Sequence, residues 1–306
     1  MPSQRDLPRP ESGSPRLRGF LWAGLAVAIF AGWFVVTRFS VTRTLNVWDL
    51  TALRYGIGAV LLAPVLLRRL PPKAWRNGFV FAALWGAPFA ILVAFGVQMT
   101  TAGRAAAVTP TLMPVFAGLL GWVLLREQPG RTRLAGYGAI AAGLCGLFLT
   151  AGGTQGAPSL FGLGLLVVAA VMWASYTLIL RRSGLTPIQS AALICFWSAV
   201  IFVPVYVGLG LSHLGQAPMA EIAVQSFYQG VLMSTVALIA FNRGVALLGS
   251  SAGAAMIALV PVAASLLAIV FLGEIPDMAE GISIALIVGG VLLAARPEQS
   301  RIPQQG

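Results

Sequence analysis

From Asn77 to Gly103 the chain carries no charged side chain, and the same holds from Gly19 to Thr37, Ala105 to Leu125 and Gly244 to Gly273. A helix needs about 20 residues to cross the roughly 30 Å hydrocarbon layer, so each window can hold a crossing. The apolar runs are continuous rather than alternating. That selects helices over barrel strands, and helices satisfy their own backbone hydrogen bonds in lipid. Composition agrees: 58% of the 306 residues are hydrophobic and 9% are charged, against about 25% charged in soluble domains. The chain reads as an all-α integral membrane protein.

Longer apolar stretches must turn. Residues 134–180 are interrupted by "GGTQGAPS" at 152–159, and 183–220 pass through "SHLGQAP" at 212–218. Ten spans follow, at about 19–38, 48–67, 77–99, 104–125, 132–150, 160–181, 187–211, 220–243, 251–272 and 278–295. The Pro/Arg/Ser-rich residues 1–17 are expected to be a disordered tail. The expected organisation is that tail, a first unit at 18–150, a linker at 151–159, a second unit at 160–296 and a tail at 297–306.

The two units repeat each other. "PVFAGLLGWVLLRE" at 114–127 aligns with "PVAASLLAIVFLGE" at 261–274, matching Pro114 to Pro261 and Glu127 to Glu274. Gly24, Trp33 and Thr37 match Gly164, Trp173 and Thr177 at a constant offset, which Pro64 and Pro204 share. Five spans per unit is an odd number, so the halves enter the membrane from opposite sides. Ten transmembrane helices as two inverted five-helix repeats is the arrangement of secondary transporters. Two halves with one pattern and opposite orientation can exchange conformations, opening a central site to either side in turn.

Charge sets the expected orientation. The clusters at 5–18, 68–76, 126–133 and 181–182, with Arg243, Arg296 and Arg301, hold all but four of the 20 Lys and Arg. Arg38, Arg43 and Arg104 fall on the other side and Arg54 inside span two. The positive-inside rule then places both termini in the cytoplasm, in a multi-pass inner-membrane protein with residues 151–159 external. The arginines are scattered over short loops rather than gathered on one face, so nucleic acid is not an expected partner.

Polar and special residues inside the spans mark candidate sites. Pro110, Pro114 and Pro261 remove backbone donors and free the carbonyls of Ala106, Pro110 and Ile257, making them candidate kinks for gating. Glu127 and Glu274 end their helices where a carboxylate is unfavourable, so each is expected to pair with a cation or cap the following helix. Arg54 is expected to snorkel outward or pair with Asp49; contact with a substrate carboxylate or a gating network is the alternative. No Asp or Glu lies near mid-span and the sole histidine, His213, lies in a loop. A proton relay built on embedded carboxylates is therefore disfavoured, as is a multivalent-cation site, and no metal or cofactor is expected. An intramembrane enzyme would need a nucleophile–base pair, an Asp dyad or a metal set that the spans lack. Cys145 and Cys195 lie inside spans as small apolar side chains. Gly136, Gly143, Gly146, Gly281, Gly289 and Gly290 are expected to pack spans five and ten together.

The duplicated stretches "AAAVTPTLMPVFAGLLGWVLLRE" and "SAGAAMIALVPVAASLLAIVFLGE", the "DLTALRYGIGAVLLAP" of span two and the "VMWASYTLILRR" of span six resemble the EamA-type branch of the drug/metabolite transporter superfamily. That branch includes exporters of amino acids, aromatic ones among them, and of other small metabolites. The resemblance implies a central cavity bordered mainly by spans 1, 3, 4, 6, 8 and 9. A Trp-Gly pair usual in the family reads Gly32-Trp33 here. Helical spacing within those spans nominates the substrate-binding residues. Trp33 shares a face with Phe30 and Thr37, and Trp173 with Thr177, beside Tyr176. Tyr228, Thr235 and Asn242 recur every seven residues in span eight; Phe95 and Gln98 come from span three and Thr109 from span four. The alternative for each is helix–helix packing and hydrogen bonding, and Trp22, Trp48, Trp75 and Trp122 near span ends read as interfacial anchors.

The expectation is a carrier, monomer or homodimer, exporting small neutral or zwitterionic molecules, chiefly amino acids, by facilitated diffusion. A multidrug or quaternary-cation exporter is the runner-up. A channel and an intramembrane enzyme are the remote alternatives.

Overall fold

Helix starts are written in the polar residues between spans. In the computed structural model, which describes residues 15–67, 70–126, 129–151, 159–248 and 250–296, Asn46 caps α2 (Val47–Leu66) in a reciprocal box with Asp49. Thr101 caps α5 (Ala102–Leu125), Ser159 caps α7 (Leu160–Ser183), and Thr186 with Gln189 boxes α8 (Pro187–Gly208). Each hydroxyl or amide oxygen takes a first-turn N–H that lipid would leave unpaired. The remaining helices are α1 (Pro15–Val41), α3 (Pro72–Trp85), α4 (Ala87–Met99), α6 (Arg131–Leu149), α9 (Met219–Gln225), α10 (Ala237–Leu248), α11 (Ser250–Leu272) and α12 (Met278–Ala294). Every described regular element is helical, and α1 begins at Pro15, two residues before the expected end of the tail. Glu127, residues 1–14, the 152–158 stretch of the linker and the 297–306 tail lie outside the described residues.

The helices make ten passes, and the repeats are inverted. Gly19 near the start of α1 packs on Leu247 and Leu248 at the finish of α10. At the opposite end, here called the far end, Ser159 N–H at the start of α7 donates to Met99 O at the finish of α4, 2.9 Å. The first helix of each unit thus enters from a different side. Alanines 102, 105, 106 and 107 on α5 are all fully buried, and this small-residue surface lets α5 lie close to α7 and α11. Thr109 Oγ1 donates to Leu166 O of α7, 3.1 Å.

Spans three and eight, which correspond under the repeat, are the two irregular ones. Span three is not the single helix expected from its hydropathy: it breaks at Gly86 into α3 and α4. Pro88 has no N–H to continue the ladder, and Ala87 N–H turns instead to Ser198 Oγ, 3.1 Å. A side chain at Gly86 would run into Ser198 Oγ and Ala82 O, so only glycine fits the break. Span eight starts as α9, widens into a π-helical stretch from Ser226 to Val236, and returns to α-geometry in α10. By contrast, α5 and α11 run unbroken through Pro110, Pro114 and Pro261. Thr111 Oγ1 donates to Ala107 O, binding the turn the prolines loosen. The breaks in helical winding are at Gly86 and at Ser226–Val236, and the three prolines lie inside continuous helices.

The α6–α12 pair is held by glycine. A Cβ on Gly136 would lie 2.6 Å from Gly290 O, and one on Gly143 2.6 Å from Ser283 O; Gly146 meets the Ser283 side chain. Gly281 and Gly289, expected to pack here too, face open space within 4 Å, because they lie on other sides of α12.

Candidate translocation site

The site is built outward from α2. Asp49 is fully buried, and its Oδ2 accepts the Asn46 N–H while its Oδ1 accepts from Tyr206 OH (2.6 Å) and His213 N–H (3.0 Å). That carboxylate closes the α2 cap and ties it to the end of α8. It is fully used there, so the expected Asp49–Arg54 pair does not form. Arg54 does not snorkel either: it is 9% exposed. Its guanidinium lies 5.6 Å from the ring centres of Trp33 and Tyr55, and among the described residues it joins no ion pair.

Two cavities share Arg54. One, about 40 Å³, is walled by Tyr55, Trp85, Cys195, Met233, Ser234 and Leu238, with Ala191 and Ile194. The other, about 10 Å³, lies between Trp33, Thr37, Leu50, Thr51, Ala90, Ala94 and Gln229. The lining elements are therefore α1, α2, α3, α4, α8, the π-helical stretch and the start of α10. Of the spans that the resemblance implied, one, three and eight line these two cavities, and spans two and seven line them as well.

The aromatic residues form two groups, one for each repeat. Trp173 and Tyr176 of α7 stack on Trp85 at 5.7 Å and 4.8 Å, with Phe89 edge-on to Trp173, and Tyr176 OH is 2.9 Å from Ser190 Oγ. Trp33 of α1 instead donates Nε1–H to Gln229 Oε1, 2.7 Å. Gln229 Nε2 donates to Thr37 Oγ1 and Gln225 Oε1, and Gln225 Nε2 to Val36 O and Ser40 Oγ. Span one thus grips span eight as span six grips span three. Gly32, in the reversed Gly-Trp order, leaves room for the Tyr228 hydroxyl, which donates to Ile29 O, 3.1 Å.

Several nominated residues lie away from these cavities. Gln98 donates to Val41 O at the far end, and Phe95 packs edge-on to Trp48. Trp48 also stacks with Phe202, and Trp75 packs on Phe196. These two tryptophans join helices as well as standing near span ends. Asn242 donates to Leu238 O of its own helix and Thr235 to Val231 O. The seven-residue register linking Tyr228, Thr235 and Asn242 fails because i→i+5 winding makes seven residues less than two turns. Gln225 and Gln229 were overlooked, although two amides one turn apart in an apolar span were a visible signal; Trp85 was left unassigned.

The far end is closed by charge. Arg38 Nε meets Glu274 Oε1 at 2.8 Å, and its Nη1 donates to Val97 O and Gln98 O. Glu274 Oε2 accepts Ala102 N–H at the start of α5, 2.8 Å, a favourable place for a carboxylate. Glu274 therefore pairs with a cation, as expected, but caps α5 rather than the helix that follows it. Arg104 Nε lies 3.1 Å from Glu280 Oε2, an ion pair without hydrogen-bond geometry, with side chains 3% and 7% exposed. Thr101 Oγ1 donates to Glu280 Oε1, and Arg104 Nη1 to Leu147 O. A cavity of about 90 Å³ lies within this closure. It is larger than those at Arg54, but its acidic walls, Glu274 and Glu280, are already paired, so it belongs to the seal.

Residues 17–149 and 160–296 each match the EamA-like transporter family. The chain is 27% identical over 251 residues to YwfM of Bacillus subtilis, described as an uncharacterized transporter, covering 80% of this chain and 83% of that one. It is 27% identical over 247 residues to a probable terminal-alkyne amino-acid exporter of Streptantibioticus cattleyicolor, covering 78% and 79%. One solved crystal structure superposes with a TM-score of 0.62 at 21% identity, covering 90% of this chain and 96% of the other, a likeness of fold.

Proposed function

Because the chain belongs to the EamA-like transporter family, we propose that it is an alternating-access carrier exporting small neutral or zwitterionic metabolites, above all amino acids with aromatic or hydrophobic side chains. One observation carries this reading: the mid-bundle cavity at Arg54 has aromatic and aliphatic walls and no carboxylate. An apolar side chain suits the walls, and the guanidinium repels a cation, which counts against the quaternary-cation reading. The relative named as an amino-acid exporter supports the same solute class.

With both termini cytoplasmic in the inner membrane, the far end is external and this conformation is closed outward by Arg38, Glu274, Arg104 and Glu280. The cavities at Arg54 are about 40 and 10 Å³, near the ~30 Å³ share of a single water molecule, so loading requires their walls to part. The Gly86 break and the π-helical stretch are where the third span of each repeat can flex. A cysteine introduced at Gln155 should label from outside and not from the cytoplasm; strong cytoplasmic labelling contradicts this orientation.

Neither carboxylate nor histidine reaches the cavity, so the solute has no group there with which to exchange a proton, and transport runs down its own gradient. Proteoliposomes loaded with unlabelled L-amino acids should show saturable counterflow of the labelled, chemically unchanged solute. An imposed pH gradient with the membrane potential clamped should not concentrate it. Unsaturable flux would indicate a channel, an altered product an enzyme, and uphill accumulation that collapses with a protonophore would refute uncoupled transport.

A further inference from the structure

A guanidinium shielded by an apolar bundle calls for a counter-charge, because desolvation penalises an isolated ion far more than aromatic contacts repay. Arg38 has Glu274 and Arg104 has Glu280. Arg54, also enclosed, has among the described residues only the rings of Trp33 and Tyr55. Asp49, the nearest acidic residue in sequence, has both oxygens occupied by Asn46, Tyr206 and His213.

A second observation lies in the same cavity. Trp85 is part of its wall, and the Trp85 indole Nε1–H is buried with no acceptor among the described residues. The chain breaks one residue later, so α4 begins at this depth and presents its positive end there. Ala87 N–H is taken by Ser198 and Pro88 has none. The cavity is thus walled by a cation and by an indole whose donor is unused, with no anionic acceptor among the described residues.

We infer that this cavity binds the carboxylate of the carried solute, with Arg54 as its counter-ion and Trp85 as a second donor. The solute's apolar part then lies along the Trp85 face that Trp173 and Tyr176 back and against Ile194, Met233 and Leu238. A single arginine matches a monoanion, held by the two-pronged fork that pairs with a carboxylate. The inference rests on the carrier reading above and assigns its solute-recognition group.

The test uses three probes of one shape on the purified full chain: L-phenylalanine, 3-phenylpropionate and phenethylamine, followed by ligand-induced thermal stabilisation. Both acids should stabilise the wild-type protein and the amine should not. Arg54→Gln should weaken the acids by about tenfold or more, and Arg54→Lys should recover part of that loss, since lysine keeps the charge and loses the fork. Binding of 3-phenylpropionate without L-phenylalanine would support the carboxylate site while assigning it to organic acids. Binding of phenethylamine as tight as that of the acids, undiminished acid binding in Arg54→Gln, or binding of none of the three probes would overturn the assignment. If Arg54→Gln fails to fold, the acid-versus-amine comparison on the wild type decides alone. L-phenylalanine counterflow that persists unchanged in Arg54→Gln would remove this site and leave the carrier reading standing, whereas transport of amines alone would remove both.

Discussion

Arg104→Gln should destabilise the folded bundle by about 3–5 kcal/mol, read as a shift in its unfolding equilibrium in mixed micelles. The Arg104 and Glu280 side chains are 3% and 7% exposed, so removing the cation leaves a carboxylate in a low-dielectric site with only Thr101 Oγ1 to donate to it. The loss is the penalty of the stranded charge more than the value of the pair. Replacing both residues, as Arg104→Met with Glu280→Leu, should recover most of it, because a buried ion pair and an apolar pair of similar volume differ little. Arg104→Gln as stable as wild type would mean that water reaches the pair and screens it. The double variant should also hold the far-end seal more weakly, since α5 and α12 lose their charge link.

Gly143→Leu should cost about 1–3 kcal/mol by overpacking, toward the upper end because its Cβ would lie 2.6 Å from a backbone atom, Ser283 O, and 3.1 Å from Ile287 N. Backbone cannot rotate aside as a side chain can, so α6 and α12 must separate along their length. Gly289→Leu is the control: nothing lies within 4 Å of its Cβ, and it should stay within about 0.5 kcal/mol of wild type. Equal losses in the two variants would show that close approach at Gly143 does not set the α6–α12 packing, since the gain in helix propensity is the same for both.

The residues themselves explain why some features were legible in advance and others were not. The ten passes and their inversion followed from charge-free windows and from a pattern copied at constant offset, both local properties. Lipid leaves a spanning backbone little choice but helix, so hydropathy alone carries that far. Pairing is different. Trp33 meets Gln229, 196 residues away, and Arg38 meets Glu274, 236 residues away; no spacing along one helix announces such a partner. Asp49 and Arg54 look adjacent on α2, yet the capping box and Tyr206 claim the carboxylate first.

Irregular winding is the other limit. Reading a face at 3.6 residues per turn requires unbroken α-geometry, and the π-helical stretch from Ser226 to Val236 carries Thr235 and Asn242 out of register with Tyr228. The prolines of α5 and α11 were conspicuous in sequence, but those helices run on through them, whereas Gly86-Ala87-Pro88, less conspicuous, ends α3 because Ser198 stands ready to receive the Ala87 N–H. The sequence by itself determined a membrane-spanning, ten-pass, inverted-repeat chain, since hydropathy, duplication and helix capping act over neighbouring residues. The tertiary structure alone decided which polar groups are spent on holding helices together and which, like Arg54 and the Trp85 indole, are left facing a cavity, because that depends on whether distant helices bring an acceptor within hydrogen-bond reach.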